Sequence, residues 1–427
     1  MRMRSTFSFG KAAAASLMIG AVVMLAPTVE AKKASGTPST EMSDAFRTNL
    51  AAAQAALKAG DIGSARTAVA ALTPMTDFEV YAAAGVRFQL AAQRRDIQAQ
   101  RIALSDMFKS SAVPRTEAPR LRYLAALFSY MVGNYDDTLA QLAYARTLGY
   151  DNIDATLLAA DTYIRKNKPR DARPLVDAAL ASQRSAGQPI SVAWYDRAIS
   201  MAYSAGDWDA LGALYRERLA HFSSAPEWRS ALVNMLAAPD VEKQIQLDLY
   251  RLQAAHCAMA SERDYQAYAA LAEKSGYSAE AKAIIEAGRA AGKLTPTQSV
   301  TSQLLKTVTP KATKEIAALP AQAKKDAAAS KGGPALDIAD NYFSLAQFPQ
   351  AAEYYRLALA KGGVDAAHAN ARLGVALARS GDLVGSSSAL AAANGRWTTV
   401  AGFWSVWVAQ QSRKVAQQSF QRRDGAG

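Results

Sequence analysis

The sequence predicts an all-α protein built as a solenoid of stacked helix pairs, and three observations carry that expectation. A backbone landmark recurs along the chain: Gly60, Gly133, Gly206, Gly276 and Gly381 stand where one helix-like segment gives way to another, and Arg94, Asn167, Asp240, Pro310 and Ala346 hold the same register between them. The intervals are 34, 39, 34, 39, 34, 36, 34, 36 and 35 residues. A period in that range marks a repeat array in which each unit buries its apolar face only against its neighbours. Half of the chain is apolar and alanine-rich, while period-two runs of β-branched and aromatic residues are scarce, which favours helix. The register also repeats away from the landmarks. Nine residues beyond each stand Val69, Ala103, Leu142, Val176, Tyr215, Leu249, Ile285, Leu319, Tyr355 and Leu390, all apolar. Seven residues before each stand Ala53, Arg87, Ala126, Ala160, Ile199, Val233, Ala269, Gln303, Ala339 and Gly374, of which all but Arg87 and Gln303 are small or aliphatic, as close helix approach requires.

In chain order, residues 1–31 read as a secretory signal peptide. Arg2, Arg4 and Lys11 form a basic start, Ala12 to Ala26 an apolar stretch short for a bilayer span, and Val29-Glu30-Ala31 a small-residue cleavage site. Residues 32–43 follow as a flexible linker. Residues 44–293 form a first stack of about seven units, in which Gly149 ends the helix running through Leu142 to Leu148. Thr295-Pro296-Thr297-Gln298 has the spacing of a helix start: hydroxyl cap, proline in the first turn, glutamine three residues after the cap. Residues 294–334 break the register, with Pro310, Pro320 and Pro334 among crowded lysines, and read as an irregular helical joint. Two clear units occupy 335–394. In 395–427, Val400, Phe403, Trp404, Trp407 and Val408 fall on one helical face, expected to seal the last repeat, with membrane or partner contact as the alternative. Arg413, Lys414, Arg422 and Arg423 make the tail basic, and Gly425-Ala426-Gly427 should fray.

Ala339, Tyr342, Ala346, Phe348, Ala351, Tyr355 and Ala358, followed 35 residues on by Gly374, Leu377, Gly381, Leu383 and Leu390, resemble tetratricopeptide repeats. Gly133-Asn134-Tyr135 and Gly206-Asp207-Trp208 are similar turn signatures upstream. The resemblance extends over residues 44 to 394, with Arg87, Gln303 and Lys306 as departures. It implies antiparallel helix pairs, about nine to ten units, wound into a right-handed superhelix whose inner groove binds peptide or protein partners. It carries no catalytic residues. In this family the groove is lined by the first helix of each pair. Phe88, Tyr123, Tyr130, Tyr203 and Phe343, with Asp161, Asp196, Asn234 and Asp340, fall on that face and are the expected partner-binding residues, ordinary packing between helices being the alternative. Tyr215 and Tyr355 fall on the packing stripe and belong to the interior.

Residue chemistry narrows the function further. His221, His256 and His368 are isolated, Cys257 is alone beside His256 in an apolar pattern that predicts a buried thiol, and no metal-binding or nucleophile-elbow spacing occurs. No glutamate is followed by serine, so the catalytic signature of a lytic transglycosylase, a periplasmic enzyme with helical superhelices, is missing. No metal, cofactor or enzymatic activity is therefore expected. Loss of Arg2, Arg4, Lys11 and Glu30 with the signal takes the formal charge from +12 to +10. Spread along an exported chain, that charge implies weak attraction to anionic envelope surfaces rather than nucleic acid. The expected function is a noncatalytic periplasmic scaffold binding a peptide or protein partner in envelope assembly or export. The alternative is an accessory or regulatory subunit of a cell-wall enzyme.

Overall fold

The structure is a computed structural model that describes residues 41–239, 241–297 and 299–424. The predicted signal peptide, most of the linker, the landmark Asp240, Gln298 and the glycine-rich terminus lie outside the described residues. Those residues are all-α, with no strand among them, and form two compact units, the boundary falling between Tyr150 and Asp151. In the first unit α1 (Asp44–Ala59) pairs with α2 (Ile62–Ala70), α3 (Asp77–Gln93) with α4 (Ile97–Met107), and α5 (Ala118–Met131) with α6 (Tyr135–Thr147). In the second, α7 (Ile153–Arg165) pairs with α8 (Pro169–Ser185), α9 (Val192–Ala205) with α10 (Trp208–His221), and α11 (Ala225–Leu236) with α12 (Lys243–Ala255). Next come α13 (Glu262–Lys274) with α14 (Ser278–Ala290), the single long α15 (Ser299–Ala327), α16 (Gly332–Ser344) with α17 (Phe348–Lys361), and α18 (Ala366–Arg379) with α19 (Leu383–Ala392). A short 3₁₀ turn at Gly395–Trp397 leads into α20 (Thr398–Asp424). Within each unit successive pairs stack, which is the solenoid architecture.

The recurring landmark is the turn inside each pair. Gly60, Gly133, Gly206, Gly276 and Gly381 carry φ of 73°, 79°, 69°, 88° and 92°, and Asn167 and Ala346 adopt the same left-handed conformation at 58° and 56°. At each, the next residue's N–H reaches back to the carbonyl five residues earlier, as in Asp61 N to Ala56 O (3.0 Å) and Asp382 N to Leu377 O (2.9 Å), satisfying a carbonyl the helix end would orphan. Where the residue after the turn is Asp or Asn it also caps the second helix: Asp61, Asp96, Asn134, Asp207 and Asp382 accept N–H groups from Ser64, Ala99, Asp137, Ala210 and Gly385. The expected landmark Arg94 is off by one. Arg95 holds the left-handed turn (φ 55°), so Phe88, not Arg87, takes the packing position seven residues before it, and Arg87 is no departure from the pattern.

All ten residues predicted nine positions beyond the landmarks are buried, including Tyr215 and Tyr355. Pro310 is the exception among the turns. It lies inside α15, which runs through the position where a pair would fold back, so most of 294–334 is one continuous helix holding Pro310 and Pro320 rather than a folded-back pair. Gln303 and Lys306 lie on its exposed side. The capping signal at Thr295 does not start it either, since α15 begins at Ser299. Cys257 is exposed, not buried, because it takes the left-handed position (φ 53°) that ends α12.

The register break is spanned by a buried charge network. Arg372 of α18, completely buried, donates from Nε to Asp248 Oδ2 on α12 (3.0 Å) and places Nη1 2.8 Å from Asp340 Oδ1 on α16. Arg251 of α12 donates to Glu280 of α14 through two bonds (2.8 and 2.7 Å) and to Asp248 (2.6 Å). Tyr268 and Tyr355 hydroxyls donate to Glu280 (2.7 Å) and Asp340 (2.6 Å). Pairs on both sides of α15 are thereby joined directly.

At the far end α20 does more than seal α19. Phe403 packs against Trp228 of α11 (6.3 Å between centroids), and Trp407 meets the His256 ring at the end of α12 edge-on. Gln410 donates to the Leu219 carbonyl of α10 (2.8 Å). The second unit therefore folds its terminal helix back onto α10–α12.

Close approach also fixes the start of α16. A Cβ on Gly332 would lie 2.3 Å from the Ala358 carbonyl oxygen and 2.6 Å from that of Gly362, both backbone atoms. Gly332→Ala is expected to cost about 1–3 kcal/mol. Gly333→Ala, whose Cβ meets nothing within 4 Å, is its control. Equal thermal unfolding of the two variants would contradict this packing.

Candidate binding cleft

Most of the nine predicted groove residues are engaged by the protein itself. Phe88 and Phe343 are core residues: Phe88 packs on Phe128 (6.0 Å), and Phe343 contacts Phe348 and Tyr355 edge-on. They were expected on the surface because the stripe was taken as narrow, whereas a first helix pressed between two neighbouring pairs buries a wider face. Asp161 is buried and accepts from Nε and Nη2 of Arg197 (2.7 and 2.9 Å). Asp340 belongs to the buried network. Burial alone would raise its carboxyl, but Arg372, His368 and the Tyr355 hydroxyl outweigh that and hold it well below the usual carboxylate range. Asp196 accepts from Arg218 (2.6 Å), and the half-buried Asn234 donates to the Tyr215 hydroxyl. Tyr123 and Tyr130 on α5 are half-buried, stacked on Tyr150 (5.0 Å) and tilted against Tyr135 (5.8 Å). Tyr203 on α9 is 43% exposed and meets Trp208 edge-on.

An open cleft of about 300 Å³ lies in the first unit between α4, α5 and α6. Arg122, Ala125 and Ser129 are spaced three and four residues apart on α5, so one helical face turns all three toward it. Arg101, Ile102 and Ser105 enter from α4, Phe108 and Lys109 from just beyond it, and Asp137 and Gln141 from α6.

Its charges are unequally matched. Arg101 donates to Ser129 Oγ (3.2 Å) and lies 3.6 Å from Asp137, whose carboxylate also accepts from Ser129 and from Gln141 Nε2 (3.2 Å). Lys109 pairs with Asp106 (2.6 Å). Arg122 differs. Its guanidinium lies over the Phe108 ring at 3.7 Å and the Tyr144 ring at 4.4 Å, and Nη1 donates to Gln141 Oε1 (3.0 Å). Among the described residues no carboxylate stands within ion-pair distance of it. Burial pulls its pKa down from the ordinary arginine value, only partly offset by Tyr144 and Asp137. Beside it, Ile102 and Tyr144 are 58% and 49% exposed.

Sequence reasoning missed this cleft because its parts come from three helices and a loop. The rings that hold Arg122 stand 14 residues before it and 22 after it, and no local spacing links them. The partial signal was an arginine on a helix face otherwise carrying alanine and serine.

No protein-family model matches the chain, and no curated protein does. Among solved structures it is similar to a chain in the structure of Naa15/Naa10 bound to HypK-THB, at 12% identity and a TM-score of 0.29. That match covers 82% of this chain and 63% of the other, so the chain spans less than two thirds of that protein's length. The likeness bears on no function.

Proposed function

We propose that the protein is a noncatalytic scaffold that holds a protein or peptide partner against the α4–α6 face of its first unit. The observation that supports this most is the pairing of exposed Ile102 and Tyr144 with Arg122, a guanidinium partly withdrawn from water and matched to no carboxylate. Apolar side chains beside a stacked arginine are the composition from which interface anchors are built. The residue 1–31 pattern supports export, and with it a periplasmic role in envelope assembly or export.

Affinity capture from an envelope extract tests the reading. A partner should be retained by the intact protein and lost with Ile102→Asp plus Tyr144→Ala, two exposed positions whose replacement leaves thermal unfolding nearly unchanged. Capture unaffected by that pair would overturn the assignment. Cell-wall enzymes in the catch would favour the accessory-subunit reading instead. Intact mass of the envelope form should begin after Ala31, and a retained Met1 would remove the case for a soluble periplasmic protein.

A further inference from the structure

We infer that the α4–α6 cleft receives a carboxylate presented by an acidic segment of the partner, with Arg122 as the residue that binds it. This rests on the scaffold reading above. Phe108 and Tyr144 cover the guanidinium, and Gln141 takes Nη1. Gln141 is itself held by Asp137 through its amide nitrogen (3.2 Å). A ligand is left only the remaining N–H edge, and that edge is preorganised. Two parallel N–H groups in a fixed plane match a carboxylate's two oxygens, and the stacking has already removed the side-chain freedom that binding would otherwise cost.

Charge balance selects the same ligand. Asp137 is already bonded by Ser129 and Gln141 and faces Arg101, and Asp106 pairs with Lys109, so neither forms an ion pair with Arg122. Three cations against two carboxylates leave the cleft one positive charge, fitted to a monoanion. A phosphate dianion would leave the cleft with an excess negative charge. A cleft of about 300 Å³ has room for an acidic side chain. The exposed Ile102 and Tyr144 beside it suit a segment that carries apolar groups next to its carboxylate, which a peptide does and a small acid does not.

The probe is a fluorescently labelled hexaglutamate, with hexaglutamine of the same length as control, followed by anisotropy on the mature chain. Hexaglutamate should bind, and Arg122→Gln should weaken it about tenfold, the loss expected for one charge-assisted pair. Arg66→Gln, at an exposed position on α2, should leave affinity within about twofold, which separates this cleft from general attraction to a basic protein. If Arg122→Gln lowers the melting temperature, Arg122→Lys serves instead: it keeps the positive charge and the Gln141–Asp137 bond but lacks the paired N–H edge, and should also weaken hexaglutamate several-fold. Equal binding of the two peptides, or equal losses in the Arg122 and Arg66 variants, would overturn the inference. Displacement by free glutamate at equal carboxylate concentration would overturn the peptide assignment. Partner capture that survives Arg122→Gln would count against this inference alone. Failure of capture with hexaglutamate still bound would count against the scaffold.

Discussion

Arg372→Leu should destabilise the second unit by about 3–5 kcal/mol, because it removes one partner of a buried charge cluster and leaves the others uncompensated. Asp248 and Asp340 would each lose a guanidinium at 3.0 and 2.8 Å, in surroundings where water cannot replace it. Arg251 would still neutralise Asp248, so Asp340 would bear most of the cost, relieved only by Tyr355 and His368. The pH dependence gives a second reading. The Asp340 carboxyl is held well below its ordinary value, so its stabilising contribution is complete above the unfolded carboxylate value of about 3.9 and is lost as pH falls through the lower folded value. The wild-type protein should therefore keep this contribution down to about pH 4 and lose it below, whereas in Arg372→Leu the carboxyl rises, the contribution shrinks or reverses, and acid costs less stability relative to neutral pH. Chemical unfolding followed by tryptophan fluorescence measures both. A variant within about 1 kcal/mol of wild type, with the same acid limb, would show the cluster to be dispensable.

That network marks the limit of what could be read from the chain. Helix pairing was legible because it depends on short-range features: a residue tolerant of the left-handed region, an Asp or Asn after it, and an apolar residue nine positions on. Leu142, Val176 and Tyr215 are buried for that reason alone. The Asp248–Arg372 bond joins residues 124 apart, and no period connects them. Asp340 looked like a groove anchor because a carboxylate on a helix face is ordinarily solvated, and only the fold brings Arg372 to it. Pro310 misled in the opposite direction. Proline often ends a helix, but a long helix can bend or shift its hydrogen bonds to accommodate one, and α15 also holds Pro320. The α4–α6 cleft was hidden for the same reason as the network, because Phe108, Arg122 and Tyr144 meet only after α4, α5 and α6 have packed.

Phe403→Ala distinguishes a helix that seals the last repeat from one that braces earlier pairs. Val400, Phe403, Trp404 and Val408 are all buried, as their shared face predicts, and a cap confined to α19 would bury them too. The two arrangements differ in what loosens when Phe403 is lost. Phe403 is completely buried, packs against Trp228 and lies 5.8 Å from the Arg216 guanidinium, so its removal should cost about 3–5 kcal/mol. A simple cap would confine the lost hydrogen-exchange protection to 383–392. A brace carries it to 211–235, nearly 200 residues away in sequence, because α20 also holds the Leu219 carbonyl through Gln410. Acid should act on the same contact. Burial, with a smaller push from Lys414, lowers the pKa of His256 to about 4, while its unfolded value is near 6.5. The unfolded state then binds the extra proton first, so this contribution is full above about pH 6.5 and declines as pH falls toward 4. The His256 ring stacks on Trp228 at 3.8 Å and meets Trp407 edge-on, so protonation charges the floor on which α20 rests. Protection in 211–235, taken relative to the intrinsic exchange rate at each pH, should accordingly fall between pH 7 and pH 5 in the wild-type protein and be low at both in Phe403→Ala. Protection there that ignores both the substitution and the pH would leave α20 as a cap and nothing more.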